Sequence, residues 1–205
     1  MNTLFTIGHS THELKVFLDL LKIHKVGAIA DVRSQPYSSR FPQFNKESLE
    51  RALKQNHIRY VFLGKELGAR RTEDCCYVDG QAKYELVAKT SAFTRGIERV
   101  LRGLSKYRLS LLCSERDPLT CHRTILVCKH LRGRGFEIDH ILADGTLESQ
   151  EELEDRMLKT LGKSQPSLFA SREETIEQAY EEQGGRIAYR MGSSSKEEVP
   201  YVQAP

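Results

Sequence analysis

Five short apolar segments, separated by stretches with helical periodicity, limit what this chain can fold into more than any other feature. We predict one β-strand over each, at residues 4–8, 26–32, 59–63, 108–113 and 136–142. Strands that alternate with helices form a mostly parallel sheet with right-handed crossovers. Because the segments are almost wholly apolar, we expect helices on both faces of the sheet. The sequence therefore predicts an α/β fold with a C-terminal helical extension.

Serine followed three residues later by glutamate marks three predicted helix starts, at Ser10, Ser149 and Ser171. The last of these falls in a region of different composition. We predict an α/β domain with the functional site over residues 1–161, a linker and C-terminal helix over 162–190, and a flexible polar tail over 191–205.

The cysteine content and the apolar runs indicate a cellular location. There are five cysteines, an odd number, and no secretory signal is recognisable at the start. No apolar run approaches the length of a membrane span. We therefore expect a cytoplasmic protein with free thiols and no membrane partner. The formal net charge of +3 is compatible with an anionic substrate but does not demand nucleic acid.

Polar residues follow all five predicted strands. In open α/β sheets, ligands bind outside the carboxyl ends of the strands, where loops splay apart and helix N-termini offer free N–H groups. We expect these residues to surround one electropositive pocket. The candidates for proton transfer or nucleophilic attack are His9, Asp31, Glu115, Cys121 and His122. The candidates for binding an anionic substrate are Ser10, Arg33, Arg40, Phe41, Lys65 and Arg123.

The segment CSERDPLTCHR, residues 113–123, is the most informative of these. Thr120 is a predicted N-cap, which places residues 121–123 in the first turn of a helix. Two basic residues at the positive end of a helix dipole are unfavourable, so a bound anion is expected to compensate them. Alternatively, Glu115 or Asp117 supplies the negative charge internally.

Other candidates also have an alternative structural role. Cys121 in a first helical turn would be a stabilised thiolate and a nucleophile, or a small buried residue. Asp31 and Glu115 could transfer protons, or pair with arginines. Arg40 and Phe41 lie in a loop where arginines alternate with aromatic residues. Such a loop could bind a base beside a phosphate, or its aromatic residues could anchor it to the core.

No cofactor and no metal are predicted. Cys113, Cys121, His122 and His9 could form a tetrahedral set, but their spacing matches no standard zinc motif. Adjacent residues on a helix also point about 100° apart, which makes joint ligation by the neighbouring cysteine and histidine awkward. The chain has no G-x-G-x-x-G fingerprint after a strand, no G-x-x-x-x-G-K-[ST] loop, and no phosphatase-type Cys-x5-Arg loop after the fourth strand.

Several motifs together resemble the family known as domain of unknown function 488. They are TIGHST, IADVRSQPYSSRFPQF, FLGKELGAR, LLCSERDPLTCHR and SLFASREETIEQAYEEQGGRIAY. The resemblance extends to about Tyr189. It implies a cytosolic α/β domain of bacteria and archaea in which the polar residues named above are characteristic. It supplies no settled reaction, although some members carry a label linking them to DNA repair.

We therefore predict an enzyme, a hydrolase or group transferase, that acts on a nucleotide, nucleic acid or other phosphate-bearing substrate at the carboxyl ends of the strands. One alternative is a non-catalytic protein that binds nucleic acid or nucleotides through the same arginines. Another is a thiol- or metal-dependent protein. The sequence leaves the oligomeric state open.

Overall fold

The computed structural model describes residues 3–165 and 170–191. Six strands form the main sheet, and two more form a short hairpin. In chain order the strands are β1 Thr3–Gly8, β2 Ala28–Asp31, β3 Arg59–Phe62, β4 Tyr77–Val78, β5 Gln81–Ala82, β6 Leu109–Cys113, β7 Glu137–Ile141 and β8 Leu147–Ser149. Strands β4 and β5 pair with each other outside the main sheet.

Helices connect most of these strands. They are α1 Leu14–Ile23, α2 Lys46–Gln55, α3 Gly64–Leu67, α4 Tyr84–Ala88, α5 Ser91–Leu104, α6 Gln150–Thr160 and α7 Arg172–Ile187. The connection from β6 to β7 differs from the others: it contains a π-helical turn, Arg123–Val127, followed by a 3₁₀ turn, Cys128–His130.

The main sheet has the order β3-β2-β6-β1-β7-β8. The first five strands in this order pair in parallel, and β8 is antiparallel to β7. The predicted α/β class with five parallel strands is confirmed. Strand β8 was not predicted, because a three-residue polar strand at a sheet edge leaves no apolar run to detect.

Both faces of the sheet are covered, as the apolar strands indicated. Successive residues of a strand point to opposite faces. Leu4 and Leu111 contribute to a core with α5 on one face. Phe5 and Leu112 contribute to a second core with α1 and α2 on the other.

Two of the three predicted capping boxes are present. Ser149 and Ser171 each accept a hydrogen bond from the backbone N–H three residues later. Ser10 caps no helix, and α1 begins only at Leu14. The backbone of Ser10 has φ of 49°, in the left-handed region, whereas an N-cap residue has extended backbone. Its N–H group donates instead to the carbonyl of Ser114.

The C-terminal helix α7 packs on α6 and on the turn after β6. Leu153, Ile176 and Tyr180 belong to a third apolar cluster formed by these elements. Beyond α7, the chain pairs with the hairpin: Ala82 N–H donates to the carbonyl of Tyr189 at 2.9 Å. The end of the predicted linker and nearly all of the predicted tail, residues 192–205, lie outside the described residues.

Among the helices of residues 3–165 and 170–191, none combines the length and the apolar character that crossing a bilayer requires.

Candidate active site at the ends of strands β2 and β6

A cavity of about 620 Å³ opens at the carboxyl ends of β2 and β6. Its position agrees with the expectation for an open α/β sheet. The residues that line it come from six parts of the chain. They are residues 33–35, 69–70, 113–115 and 186–190, together with Tyr84, Thr120 and His122.

Four side chains with reactive or metal-binding atoms lie together here, and three of them, all except Cys121, line the cavity. Cys113, Glu115, Cys121 and His122 each offer one such atom, and all four atoms lie within 4.8 Å of one another. The Cys113 Sγ atom is 3.6 Å from His122 Nδ1. The Cys121 thiol donates to Glu115 Oε2 at 3.0 Å. We call these four residues the cysteine cluster.

The local backbone explains how adjacent residues both reach the cluster. The Asp117 side chain, and not Thr120, caps the turn Pro118–Thr120 by accepting from Leu119 N–H. Cys121 follows in extended conformation, with φ of −125° and ψ of 137°. The prediction that Thr120 is the helix cap is therefore wrong. The argument that Cys121 and His122 point about 100° apart on a helix also fails, because Cys121 precedes the helix.

The helix that follows is held to Cys121. Its first carbonyl acceptor is Cys121 O, which receives the N–H groups of Thr124 and Ile125 at 3.1 Å each. The Arg123 N–H donates to Cys121 Sγ at 3.4 Å. The sulfur thus satisfies one of the N–H groups that a helix start leaves free. The π-helical turn comes directly after, and such turns are frequent at functional sites.

The Arg123 side chain does not face the cavity. It is fully buried and donates to the carbonyls of Glu115 at 2.8 Å and Arg116 at 3.4 Å, and to Thr6 Oγ1 at 3.3 Å. The structure therefore does not place Arg123 on the cavity wall, where it was expected to bind a substrate anion. Its guanidinium is directed at backbone oxygens, and it holds the loop that carries Glu115.

Gly8, at the end of β1, allows the same loop to pass close by. A Cβ atom at this position would lie 1.8 Å from the carbonyl oxygen of Glu115, far inside van der Waals contact. No other residue type fits there without moving the loop.

Asp31 and Arg33 form a buried ion pair instead of a reactive pair. Arg33 Nε donates to Oδ1 at 2.9 Å, and the NH2 group donates to Oδ2 at 2.6 Å. Tyr60 OH also donates to Oδ2, at 2.7 Å. Hydrogen-bond donors occupy both carboxylate oxygens, and Asp31 does not line the cavity. Arg33 lines the cavity, but its charge is neutralised by Asp31.

His9 is buried beside the aromatic core. Its ring stacks on Phe44 with centroids 4.4 Å apart, and Nδ1 bonds to the carbonyl oxygen of Ser10. Burial, reinforced by the charge of Arg33, lowers the pKa of His9 to about 4. At neutral pH the ring is therefore uncharged. His9 does not line the cavity, and the structure does not bring it together with Glu115 and His122 there.

Four further predicted residues also lie outside the cavity. Arg40 is exposed and covers the ring of Phe41, with its guanidinium carbon 5.4 Å from the ring centroid. Phe41 packs against the core of α1 and α2. Neither Ser10 nor Lys65 lines the cavity. The loop that carries Arg40 is anchored by its aromatic residues, which was the structural alternative.

The structure adds residues that the sequence did not single out. Arg70, Tyr84, Arg186, Tyr189 and Arg190 all line the cavity. Arg70 stacks on Tyr189, with its guanidinium carbon 4.8 Å from the ring centroid. The sequence held a signal for two of them: Arg70 ends the segment FLGKELGAR, and Arg186 lies in SLFASREETIEQAYEEQGGRIAY, and both segments carry the family resemblance.

The groups of the cluster have different acidities. Burial acts to raise the pKa of Glu115, but the neighbouring His122 and hydrogen bonds from the cysteines outweigh it and lower the pKa to about 2. Burial also opposes ionisation of Cys121, yet its hydrogen bond with Cys113 and the charge of Arg123 lower its pKa to about 6. Burial raises the pKa of Cys113. Cys121 is therefore the more acidic thiol.

Comparison with known proteins gives the family. A family model described as Domain of unknown function DUF488 matches residues 13–129. The match covers more than half of the chain and contains the whole cysteine cluster, and this chain belongs to that family. No curated protein and no solved structure matched the chain.

Proposed function

We propose that this protein is an enzyme, a hydrolase or group transferase, that acts on a phosphate-bearing substrate such as a nucleotide or a nucleic-acid end. One observation carries the proposal: groups able to move protons lie on the wall of a cavity that exposed arginines also line. Glu115 and His122 supply the first part, and Arg70 and Arg186 supply the second.

The substrate class follows from the arginines and their aromatic neighbours. Arg70 is exposed, and its guanidinium lies over the Tyr189 ring. A guanidinium binds phosphate through paired N–H donors, and an aromatic ring beside it can stack on a base. The cavity volume of about 620 Å³ is within the range that holds a small organic ligand.

The proton-transfer role falls to Glu115. Its side chain is exposed at the cavity. An ionised carboxylate can accept a proton from a water molecule or a substrate hydroxyl as that oxygen attacks.

The test begins with purified protein incubated with nucleotides, nucleotide sugars and oligonucleotides, with products separated by chromatography. For a substrate found in this way, we expect Arg70→Ala to raise KM by about ten-fold, which corresponds to one charged hydrogen bond. We expect Glu115→Gln to lower kcat by about 10²-fold or more.

Arg40→Ala is the matched control, because Arg40 is an exposed arginine on an aromatic ring outside the cavity. It should leave both constants unchanged. An effect of Arg40→Ala equal to that of Arg70→Ala would contradict the proposed cavity. Binding of a nucleotide or oligonucleotide without any turnover would favour the non-catalytic alternative.

The thiol- or metal-dependent alternative is favoured by the cysteine cluster. It does not compete with the first proposal, because Cys113, Glu115 and His122 of the cluster line the same cavity. The five free cysteines support a reducing compartment, such as the cytoplasm, as the place of this activity.

A further inference from the structure

We infer that the cysteine cluster binds one divalent ion of the zinc class, with Cys113, Cys121, His122 and Glu115 as its ligands. Zinc in proteins prefers four tetrahedral ligands drawn from thiolate, imidazole and carboxylate groups. The cluster offers two sulfurs, one nitrogen and one oxygen, all within 4.8 Å of one another.

The spacing of these atoms suits such an ion. With zinc–sulfur and zinc–nitrogen bonds of about 2.3 and 2.0 Å, a tetrahedral site places sulfur and nitrogen about 3.5 Å apart. The Cys113 Sγ and His122 Nδ1 atoms are 3.6 Å apart. The sulfur of Cys121 and the nearest oxygen of Glu115 are 3.0 Å apart, and binding would require them to separate by about 0.5 Å.

His122 is held in the form that a metal requires. Its Nε2 atom lies 3.0 Å from the carbonyl oxygen of Val32. A carbonyl oxygen only accepts, so Nε2 carries a proton, and Nδ1 is the ring nitrogen that faces the cluster. Metal binding would use the Nδ1 lone pair and displace any proton from that atom. A hydrogen bond from the second ring nitrogen to a backbone carbonyl is the usual support of a metal-binding histidine.

The charges around the cluster fit an anionic metal centre. Arg123 is buried, and within the part of the chain that the structure describes it forms no ion pair with a carboxylate. Its charge interacts with those of Cys121, Cys113 and Glu115. Two thiolates and one carboxylate on a divalent ion carry a net charge of −1, which offsets the guanidinium. The Arg123 N–H bond to Cys121 Sγ also stabilises a thiolate.

Glu115 is the exchangeable ligand. The other three side chains are buried, whereas Glu115 is exposed at the cavity. Its carboxylate can move aside and leave a coordination position for a water or substrate oxygen, as in zinc sites that take part in reactions. This last step deepens the proposed function and rests on it. Binding of the ion does not.

The first experiment uses the unaltered full chain. Purified protein, stripped with chelator and reloaded with zinc, should retain about one zinc per chain after gel filtration, measured by elemental analysis. Reloading with Co²⁺ should give intense thiolate-to-cobalt charge-transfer absorption together with the visible bands of a tetrahedral ion. Less than about 0.1 zinc per chain, or a cobalt spectrum without thiolate bands, would overturn the inference.

The second experiment tests the ligands. We expect Cys113→Ser, Cys121→Ser and His122→Gln each to weaken zinc binding at least 100-fold in competition with a chromogenic chelator. Glu115→Gln should weaken binding by about ten-fold. The control is Cys128→Ala, because Cys128 is also buried but lies outside the cluster. Circular dichroism checks that each variant folds, and the cobalt spectrum stands even if a variant does not.

Two results separate this inference from the proposed function. Stoichiometric zinc without turnover of any phosphate-bearing substrate would leave the metal site standing and remove the function. Turnover by metal-free protein at the rate of the zinc-loaded protein would remove the role given to the metal and leave the function.

Discussion

Strands β2 and β6 are neighbours in the sheet, with Asp31 level with Leu112, yet the polar groups at their ends are organised differently. At the end of β2, hydrogen bonds from Arg33 and Tyr60 occupy both oxygens of the Asp31 carboxylate. At the end of β6, the reactive atoms of the cysteine cluster contact mainly one another.

The difference separates a group with a full set of hydrogen bonds from one that we propose to be functional. A buried carboxylate with a full set of charged and neutral donors gains nothing from a ligand and loses stability if disturbed. Thiols, an imidazole and a carboxylate gathered at a cavity can replace their mutual contacts with bonds to an ion or substrate. From their positions in the sequence alone, Asp31 and Glu115 are equivalent.

The largest expected effect comes from breaking the β2 group. Asp31→Ala leaves the buried charge of Arg33 unpaired, and we expect the free energy of unfolding to fall by about 3–5 kcal/mol. Tyr60→Phe removes a single donor and should cost about 1 kcal/mol. Urea denaturation measures both. If the two substitutions lowered the free energy of unfolding equally, the ion pair would not be the main source of stability in this group.

Gly8→Ala tests the close approach of β1 to the Glu115 loop. The added Cβ would overlap the Glu115 carbonyl, so the loop must shift at a cost of about 1–3 kcal/mol. Zinc affinity should fall with it. The control is Gly185→Ala in α7, where a Cβ meets nothing within 4 Å and where alanine should stabilise the helix by up to about 1 kcal/mol. An unchanged zinc affinity in Gly8→Ala would show that the loop is not held at Gly8.

His140 is a third buried polar group with a full set of hydrogen bonds. Its effect can be measured through the pH dependence of the free energy of unfolding. Both ring nitrogens have partners, Thr6 and Gln150, and burial followed by the charge of Arg123 lowers the pKa of His140 to about 3. Between pH 6.5 and that value, the unfolded chain takes up a proton and the folded chain does not. Stability that is present above pH 6.5 is therefore lost as the pH falls.

From pH 6.5 to pH 5, this term amounts to about 1.7 kcal/mol. His140→Gln should show a correspondingly smaller fall in the free energy of unfolding over that interval, measured by urea denaturation at both pH values. His9, with its own lowered pKa, contributes equally to both proteins. The same fall in the variant as in the original chain would contradict the assignment.

The smallest expected effect concerns the turn that places Cys121. Asp117→Ala removes the cap on Leu119 N–H and should cost about 1 kcal/mol. Thr120→Ala should stay within about 0.5 kcal/mol, because its hydroxyl only donates to a carbonyl in the same turn. A larger loss of stability in Thr120→Ala than in Asp117→Ala would indicate that Thr120 is the cap.

The sequence was sufficient for the five parallel strands and for some residues of the candidate site. Apolar runs predict buried strands because burial dominates their energetics, so five parallel strands were predicted. Strand order depends on contacts between distant segments, and no local pattern records it. The local pattern at Ser10 matches that at Ser149, but tertiary bonds hold Ser10 in a left-handed conformation.

For the site, the segment 113–123 gave Glu115, Cys121 and His122, because these residues are close in the chain. The direction of a side chain could not be obtained in the same way. Arginine is a residue type that often binds anions. Arg33, however, is paired with Asp31, and Arg123 points at backbone carbonyls. The arginines of residues 186–190 reach the cavity only because α7 packs on α6 and on the turn after β6.

The packing of α7 and the chain after it has a consequence for folding during translation. Gln81 pairs with Arg190, and Arg190 lines the cavity. Part of the cavity wall is therefore held by two segments that are synthesised at different times. Residues 113–122 are synthesised well before residues 186–190, and domains form from the N-terminal end as synthesis proceeds. The proposed metal ligands would thus be synthesised before residues 186–190, which line the same cavity, and an ion bound at that stage would gain the rest of the cavity wall later.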